Sequence, residues 1–226
     1  MKALNLIPVL GLLLMSVCNH LHAGNAEGIA AAERGDFKKA LAEFVDAANK
    51  GDAEAAKNIG WMHQFGIGVP ANPTEAIKWY RIAATAGNAI AQNNLGHMLR
   101  VGFGVPRDLV EARSWFEKAS AQNYAESKAN LGLLYCNGEG VPQDFEQCAK
   151  WTLEAANAGV AQSQFGMAVL HMGVLGVPKD ESKARFWAER AAAQGHGEAL
   201  TWVRTMRSES QNKLQPNSPA NTDAAR

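Results

Sequence analysis

The stretch Gly66-Ile67-Gly68-Val69-Pro70 decides the fold, because closely similar phrases recur three more times along the chain. The later copies end at Pro106, Pro142 and Pro178, so successive prolines lie 36 residues apart. A fixed period of this length is typical of repeat proteins, in which each unit buries its apolar face against the next one. The chain is therefore expected to be a stack of similar units.

Residues at fixed distances from these prolines predict a helix in each unit. Two positions after each proline stands Asn or Asp, a good N-cap, and in three units Glu or Gln follows three residues later and completes a capping box. A small residue then allows close helix packing, and a tryptophan supplies apolar area. The three columns are Asn72/Asp108/Asp144/Asp180, Ala76/Ala112/Cys148/Ala184 and Trp79/Trp115/Trp151/Trp187.

The ends of that helix and a further helix in each unit are also predicted. Glycine and asparagine accept the left-handed conformation that closes helices, and they stand at Gly87, Asn123, Gly159 and Gly195. The other helix carries an interior glycine at Gly60, Gly96 and Gly132. Because glycine there costs about 1 kcal/mol relative to alanine, its recurrence indicates helix contact. Gln164-Phe165-Gly166 comes two residues early, so we expect the register to slip by two residues there.

The repeat period predicts the domain organisation. Four units occupy residues 52–195, with bounds 52–87, 88–123, 124–159 and 160–195. Residues 24–51 keep some repeat columns without the proline and tryptophan, which predicts a degenerate N-terminal helix pair. Residues 196–207 are interpreted as a capping helix, as a stacked array requires. The polar residues 208–226 are interpreted as a disordered tail.

The first 23 residues predict export. Lys2 precedes an apolar stretch of about 14 residues ending at Val17, and a short polar segment ends at Ala23, which is the layout of a secretory signal peptide. The stretch is shorter than the roughly 20 residues that span a bilayer. Val17 before Cys18 is larger than lipoprotein processing accepts. We expect cleavage after Ala23 and a periplasmic product without a permanent membrane span.

The charge balance excludes two classes of partner. The chain has 22 basic and 22 acidic residues, so it lacks the net positive charge that holds nucleic acid or an anionic membrane surface. Its 47% hydrophobic content is sufficient for a continuous core. Binding of nucleic acid is therefore not expected.

Several phrases together resemble the Sel1-like repeat family, a relative of the tetratricopeptide repeat. They are Gly51-Asp52-Ala53, Asn-Leu-Gly at 94–96, Gly-x-Gly-Val-Pro, and Ala76-x-x-Trp79-Tyr80. The resemblance implies an all-α, right-handed superhelical solenoid of antiparallel helix pairs, in which the first helix of each pair lines the concave side. It also implies an exported bacterial scaffold that binds a protein or peptide, rather than an enzyme, and it leaves the partner open. We expect a monomer without cofactors.

The same resemblance selects the candidate partner-binding residues on the first helices. They are Asn58, Trp61, Asn94, His97, Arg100 and Asn130. In related repeats, asparagines on the first helix clamp the backbone of an extended peptide. The alternative that these amides tie their own helix to a neighbouring loop stays open, since buried amides commonly serve structure.

Other chemistries find little support in the sequence. His63, His97 and His171 show no spacing that makes ligands converge, so no metal site is predicted. Gly-x-Gly-Val-Pro lacks the third glycine and the lysine of a phosphate-binding loop. Some cysteine-rich exported relatives have been associated with β-lactam hydrolysis, but the Ser-x-x-Lys motif falls at 210–213, in the predicted tail, without its partner motifs. Regulation of a membrane sensor or of envelope assembly remains the alternative role.

Cys136 and Cys148 are the cysteines that remain after export. Their positions in the repeat predict that both lie at the contact within one helix pair. A disulfide would close a loop of about a dozen residues and add roughly 2 to 3 kcal/mol of stability. Two separate thiols, with Cys148 in place of a small buried residue, are the alternative, because a sequence does not define sulfur geometry.

Overall fold

The computed structural model describes residues 24–173 and 177–214, with side chains through Ser208, and this part of the chain contains helices and no strand. Helix α1 covers residues 24–33. The other helices are α2 (Phe37–Asn49), α3 (Ala53–Phe65), α4 (Pro73–Thr85), α5 (Ala89–Val101), α6 (Leu109–Ala121), α7 (Ala125–Asn137), α8 (Phe145–Asn157), α9 (Ala161–Leu170), α10 (Glu181–Ala193) and α11 (Gly197–Leu214). The predicted signal peptide and residues 215–226 lie outside the described residues.

The helices form two compact units. Unit 1 extends to Asn130, and unit 2 begins at Leu131. Within unit 1, each helix from α2 to α6 packs against the next, and within unit 2 the same holds from α8 to α11. Short turns join these helices, so neighbours in sequence are neighbours in space. The all-α helical-repeat fold is confirmed.

The predicted helix starts and ends are confirmed in all four repeats. The side chains of Asn72, Asp108, Asp144 and Asp180 each accept a hydrogen bond from the backbone N–H three residues later, at 2.9 to 3.1 Å. The predicted closing residues adopt positive φ angles, from 62° at Asn123 to 98° at Gly159. Local sequence therefore sets these boundaries.

The interior glycines mark the close contact between the two helices of a repeat. A Cβ on Gly60 would lie 2.8 Å from the Tyr80 ring, and one on Gly96 would lie 2.8 Å from the Phe116 ring. Both rings are fully buried. The glycines thus make room for an aromatic ring of the partner helix, as their recurrence predicted.

Helix α9 keeps the repeat register, so the predicted two-residue slip is wrong. Gln92 donates to the Ala84 carbonyl at 3.0 Å, and Gln164, 72 residues later, donates to the Ala156 carbonyl at 3.2 Å. Ala168, rather than Gly166, then stands in the column of Gly96, and it is buried. The phrase Gln164-Phe165-Gly166 does not mark the contact between the two helices of the last repeat, because alanine takes the place of glycine there.

The second glycine of the repeated turn contacts the preceding repeat. A Cβ on Gly68 would lie 2.2 Å from Cβ of Phe37, and one on Gly104 would lie 2.5 Å from Cβ of Pro73. Phe37 and Pro73 stand 36 residues apart, at the starts of α2 and α4. Both glycines also have positive φ angles. The turn therefore serves the stacking of repeats as well as the change of chain direction.

Helix α11 is longer than the predicted capping helix. It extends to Leu214, so residues 208–214, which we assigned to a disordered tail, are helical. This segment contains no glycine or proline, and its polar residues are compatible with a helix that began upstream. At the other end, α1 and α2 lie within the predicted degenerate helix pair.

Candidate partner-binding face

The first helices of the repeats carry apolar side chains that are exposed to solvent. In α3, Trp61 is 45% exposed and Phe65 is 58% exposed, and their ring centroids lie 5.5 Å apart. In sequence, the same repeat column holds His97 in unit 1, and Leu133 and Val169 in unit 2, and each of these is exposed within its own unit. Large apolar side chains exposed at a recurring position are typical of an interaction surface.

A cleft of about 170 Å³ lies beside Trp61 in unit 1. Ile29 from α1, Phe37 from α2 and Trp61 from α3 line it, and all three are partly exposed. Asn58 and Glu33 are the polar residues of its lining. The cleft has room for an apolar side chain, with hydrogen-bonding groups close by.

Two of the three candidate asparagines connect neighbouring first helices. Asn58 donates its amide N–H to the Asn25 side-chain oxygen at 3.0 Å, and Asn130 donates to the Asn93 side-chain oxygen at 2.9 Å. Both asparagines are half-buried. They tie one helix to another helix, whereas the structural alternative considered above had them contacting a loop.

Asn94 has a different contact within the same column. It hydrogen-bonds to the hydroxyl of Tyr80, which itself donates to Gln64 Oε1 at 2.7 Å. Burial raises the pKa of Tyr80 strongly, and the hydrogen bond from Asn94 opposes this only in part. The tyrosine therefore remains a neutral donor at physiological pH.

His97 and Arg100 lie on α5, and the charge of Arg100 affects the protonation of His97. Partial burial lowers the pKa of His97, and the nearby Arg100 guanidinium lowers it further. A histidine with a lowered pKa is neutral near pH 7 and contributes an apolar ring with hydrogen-bonding nitrogens. Arg100 is half-buried, and its backbone carbonyl accepts a hydrogen bond from Arg107 Nε at 2.9 Å.

Cys136 near the end of α7 and Cys148 in α8 are joined by a disulfide. Their Cα atoms lie 5.0 Å apart. Cys148 is fully buried, in the column that holds alanine in the other three repeats. The bridge fastens the two helices of the third repeat.

In residues 24–173 and 177–214, no three His, Cys, Asp or Glu side chains lie close enough together to hold a metal ion. None of the helices in that part of the chain combines the length and the apolar character that crossing a bilayer requires.

A ladder of polar side chains between repeats was missed by the sequence reasoning. Asn93 accepts hydrogen bonds from Ser127 and Asn130, and Gln122 donates to Gln92 while Gln194 donates to Gln164, all at 2.8 to 3.0 Å. The two glutamine pairs stand 72 residues apart, so a search at twice the repeat period would have found them. The column of Asn93 holds no asparagine in the other repeats, so no periodic pattern in the sequence points to it.

Comparison with known proteins identifies four consecutive matches. The model of the Sel1 repeat matches residues 53–88, 89–124, 125–160 and 161–196. A Sel1 repeat protein from Oxalobacter formigenes is 33% identical, with a TM-score of 0.74, over 79% of this chain and 73% of that one. A protective antigen of uropathogenic Escherichia coli strains, with an SLR fold, is 28% identical, with a TM-score of 0.78, over 85% of this chain and 42% of that one. No curated protein matches the chain.

Proposed function

Because the chain belongs to the Sel1 repeat family, we propose that it is an interaction scaffold that holds a peptide or protein segment against its first helices. The exposed aromatic side chains of Trp61 and Phe65, on a first helix of unit 1, carry this proposal. Stacked repeats present such side chains on a preformed surface, so the scaffold loses little conformational entropy when it binds.

The binding mode follows from the contacts on α3 and α7. An apolar side chain of the partner enters the cleft beside Trp61, and Phe65 extends the apolar contact. An asparagine amide offers two donor hydrogens and an acceptor oxygen. Asn58 and Asn130 can therefore hold a neighbouring helix with one N–H and the backbone of the partner with their other groups.

We place this function in the periplasm. Residues 1–23 have the layout of a secretory signal peptide. The disulfide between Cys136 and Cys148 supports the proposal, because disulfides persist in oxidising compartments and are rare in the cytosol.

Affinity capture tests the binding face. Residues 24–226 are used as bait in an envelope extract, beside Trp61→Ala and the triple variant Asn58→Ala, Asn94→Ala, Asn130→Ala. We expect both variants to lose the captured partner, with circular dichroism establishing that they remain folded.

Ile82→Ala on α4 is the matched control, because Ile82 is also half exposed but lies on a second helix. It is expected to retain the partner. Capture that is unaffected by the Trp61 and asparagine variants would contradict the proposed face. A membrane-embedded partner lost with both variants would favour the role in regulating a sensor.

A further inference from the structure

A larger cleft lies on the other helices of the repeats, between α8 and α10 in unit 2. It has a volume of about 500 Å³. Leu153 from α8 and Phe186 and Trp187 from α10 form its walls, and Met167 from α9 also lines it. Leu153 and Phe186 are exposed, whereas Trp187 is nearly buried. The cleft is therefore apolar and open to solvent.

Lysines supply the charge in the lining of this cleft. Among the described residues, Lys150 and Lys183 line it, together with His171, and no carboxylate does. The guanidinium of Arg190 lies over the rings of Phe186 and Trp187, 5.4 Å and 5.9 Å from their centroids. Lys183 also contacts the N-cap carboxylate of Asp180 at 3.4 Å, and both side chains remain accessible. The cleft thus combines apolar walls with cations at its edge.

The equivalent place in unit 1, between α4 and α6, is bridged by an ion pair. Arg81 on α4 forms a two-pronged contact with Glu111 on α6, in which Nη2 and Oε2 are 3.2 Å apart. Glu111 also accepts a hydrogen bond from Trp115 Nε1 at 3.0 Å. Two charged side chains therefore span the groove between these helices, in front of the tryptophan.

The repeat columns show which residues changed. Two repeats after Arg81 and Glu111, the same columns hold Leu153 and Lys183, while the tryptophan column is kept as Trp187. Leucine cannot pair with lysine, and the acidic position has become basic. The bridge is therefore lost in unit 2, the column of Arg81 is apolar there, and the charge at the column of Glu111 is reversed.

We propose that the cleft between α8 and α10 is a second binding surface, which takes a peptide segment with a large apolar side chain flanked by carboxylates. The apolar side chain fills the space beside Trp187, and the carboxylates meet Lys150, Lys183 and Arg190. This inference goes beyond the proposed function, because the cleft lies between two second helices of unit 2, whereas the face around Trp61 lies on first helices of unit 1.

The double variant Leu153→Arg, Lys183→Glu tests the proposal by copying the α4–α6 bridge into unit 2. Glutamate three residues after an N-cap aspartate already occurs in this fold, at Asp108 and Glu111, and the variant would create the same spacing after Asp180. The variant is therefore expected to fold, which circular dichroism and chemical unfolding would establish. Phe186→Ala, which removes an exposed wall of the cleft, is the second variant.

The probe is a library of displayed short random peptides, selected on residues 24–226 and counter-selected on the double variant. We expect the surviving peptides to carry Phe, Trp or Leu next to Asp or Glu, and to bind at least tenfold more weakly to both variants. Trp61→Ala should leave their affinity unchanged, which separates this surface from the proposed function. The inference is overturned if no peptide distinguishes the wild type from the double variant, or if the distinguishing peptides lack acidic residues.

Discussion

Gly96 and Phe116 show how pairs of residues set the distance between the helices of a repeat. The glycine leaves space for the ring, and a Cβ would also lie 3.1 Å from the Ala112 carbonyl oxygen. In the last repeat the same two columns hold Ala168 and Ala188, which lie in one buried cluster. The contact therefore accepts a ring with a glycine or two small side chains.

The substitution Gly96→Ala is expected to destabilise the protein by about 1 to 3 kcal/mol through overpacking, although alanine favours helix by about 1 kcal/mol. In a Phe116→Ala background the same substitution should cost at least about 1 kcal/mol less, because the ring is gone. Urea unfolding of the four proteins of this cycle measures the coupling. Equal effects of Gly96→Ala in both backgrounds would show that the ring does not require the glycine.

At this scale, the sequence predicts positions that recur and misses those that do not. The N-caps and the glycine contacts appear in several copies, so their columns stand out. Tyr80 and Phe116 fill the core beside the tryptophans but are replaced by Thr152 and Ala188 later. Trp115 and Trp187 are nearly buried as expected, whereas Trp79 and Trp151 are half-buried. Tertiary packing decides such differences, and no local pattern encodes it.

At the scale of helices, Glu111 connects α4 to α6 and makes their contact depend on pH. The hydrogen bond from Arg81 lowers the pKa of Glu111, and the one from Trp115 contributes to the same effect. The folded pKa thus lies below the unfolded value, near 4.5. The stabilisation is present above that unfolded value and is lost as the pH falls through the folded pKa.

We therefore expect Glu111→Gln to lower the free energy of unfolding by a constant amount between about pH 5.5 and pH 7, and by progressively less below about pH 4.5. Chemical unfolding at a series of pH values measures the difference from wild type. Glu117→Gln is the matched control, because Glu117 is half exposed and contacts Arg113 of its own helix; its effect should stay within about 0.5 kcal/mol. A difference for Glu111→Gln that is independent of pH would contradict this account.

The disulfide is the corresponding covalent link between α7 and α8. Reduction is expected to lower the free energy of unfolding by roughly 2 to 3 kcal/mol, since the bridge closes a loop between residues 12 apart. Cys136→Ser with Cys148→Ala should match the reduced protein and no longer respond to reductant. Alanine suits the buried position because the other repeats have it there. Identical unfolding of the wild type with and without reductant would show that the bridge adds no stability.

For whole helices, prediction from sequence succeeds where an end is marked and fails where it is not. The second helices begin at an N-cap and close at a left-handed residue, and their bounds follow the columns. Helix α9 ends at Leu170, three residues earlier in its repeat than α5 does at Val101, and the next glycine, Gly173, has a positive φ angle but lies three residues beyond that end. Helix α11 continues past Arg207 because nothing there stops it.

For the whole molecule, the 36-residue period was enough to predict the fold class, because repetition averages over the irregularities of single repeats. The binding surfaces are less predictable. The face around Trp61 follows from a column of first-helix residues, whereas the cleft between α8 and α10 arises from the loss of an ion pair that the sequence does not reveal. Such a loss becomes visible only when the contact between Arg81 and Glu111 is known.

The proposed export connects residues 1–23 with the disulfide, and one pair of samples tests both. The full chain, expressed in a Gram-negative host, should be recovered from the periplasm with Gly24 as its first residue, by N-terminal sequencing. Thiol titration of this denatured product should find no free thiol, because Cys136 and Cys148 are bridged and Cys18 is removed with the signal.

The chain that begins at Gly24 should remain in the reducing cytosol and show two free thiols. A full chain that stays in the cytosol with residues 1–23 attached would refute their assignment as a signal peptide. In that case, oxidation of the purified cytosolic protein would still test whether Cys136 on α7 and Cys148 on α8 can form the bridge.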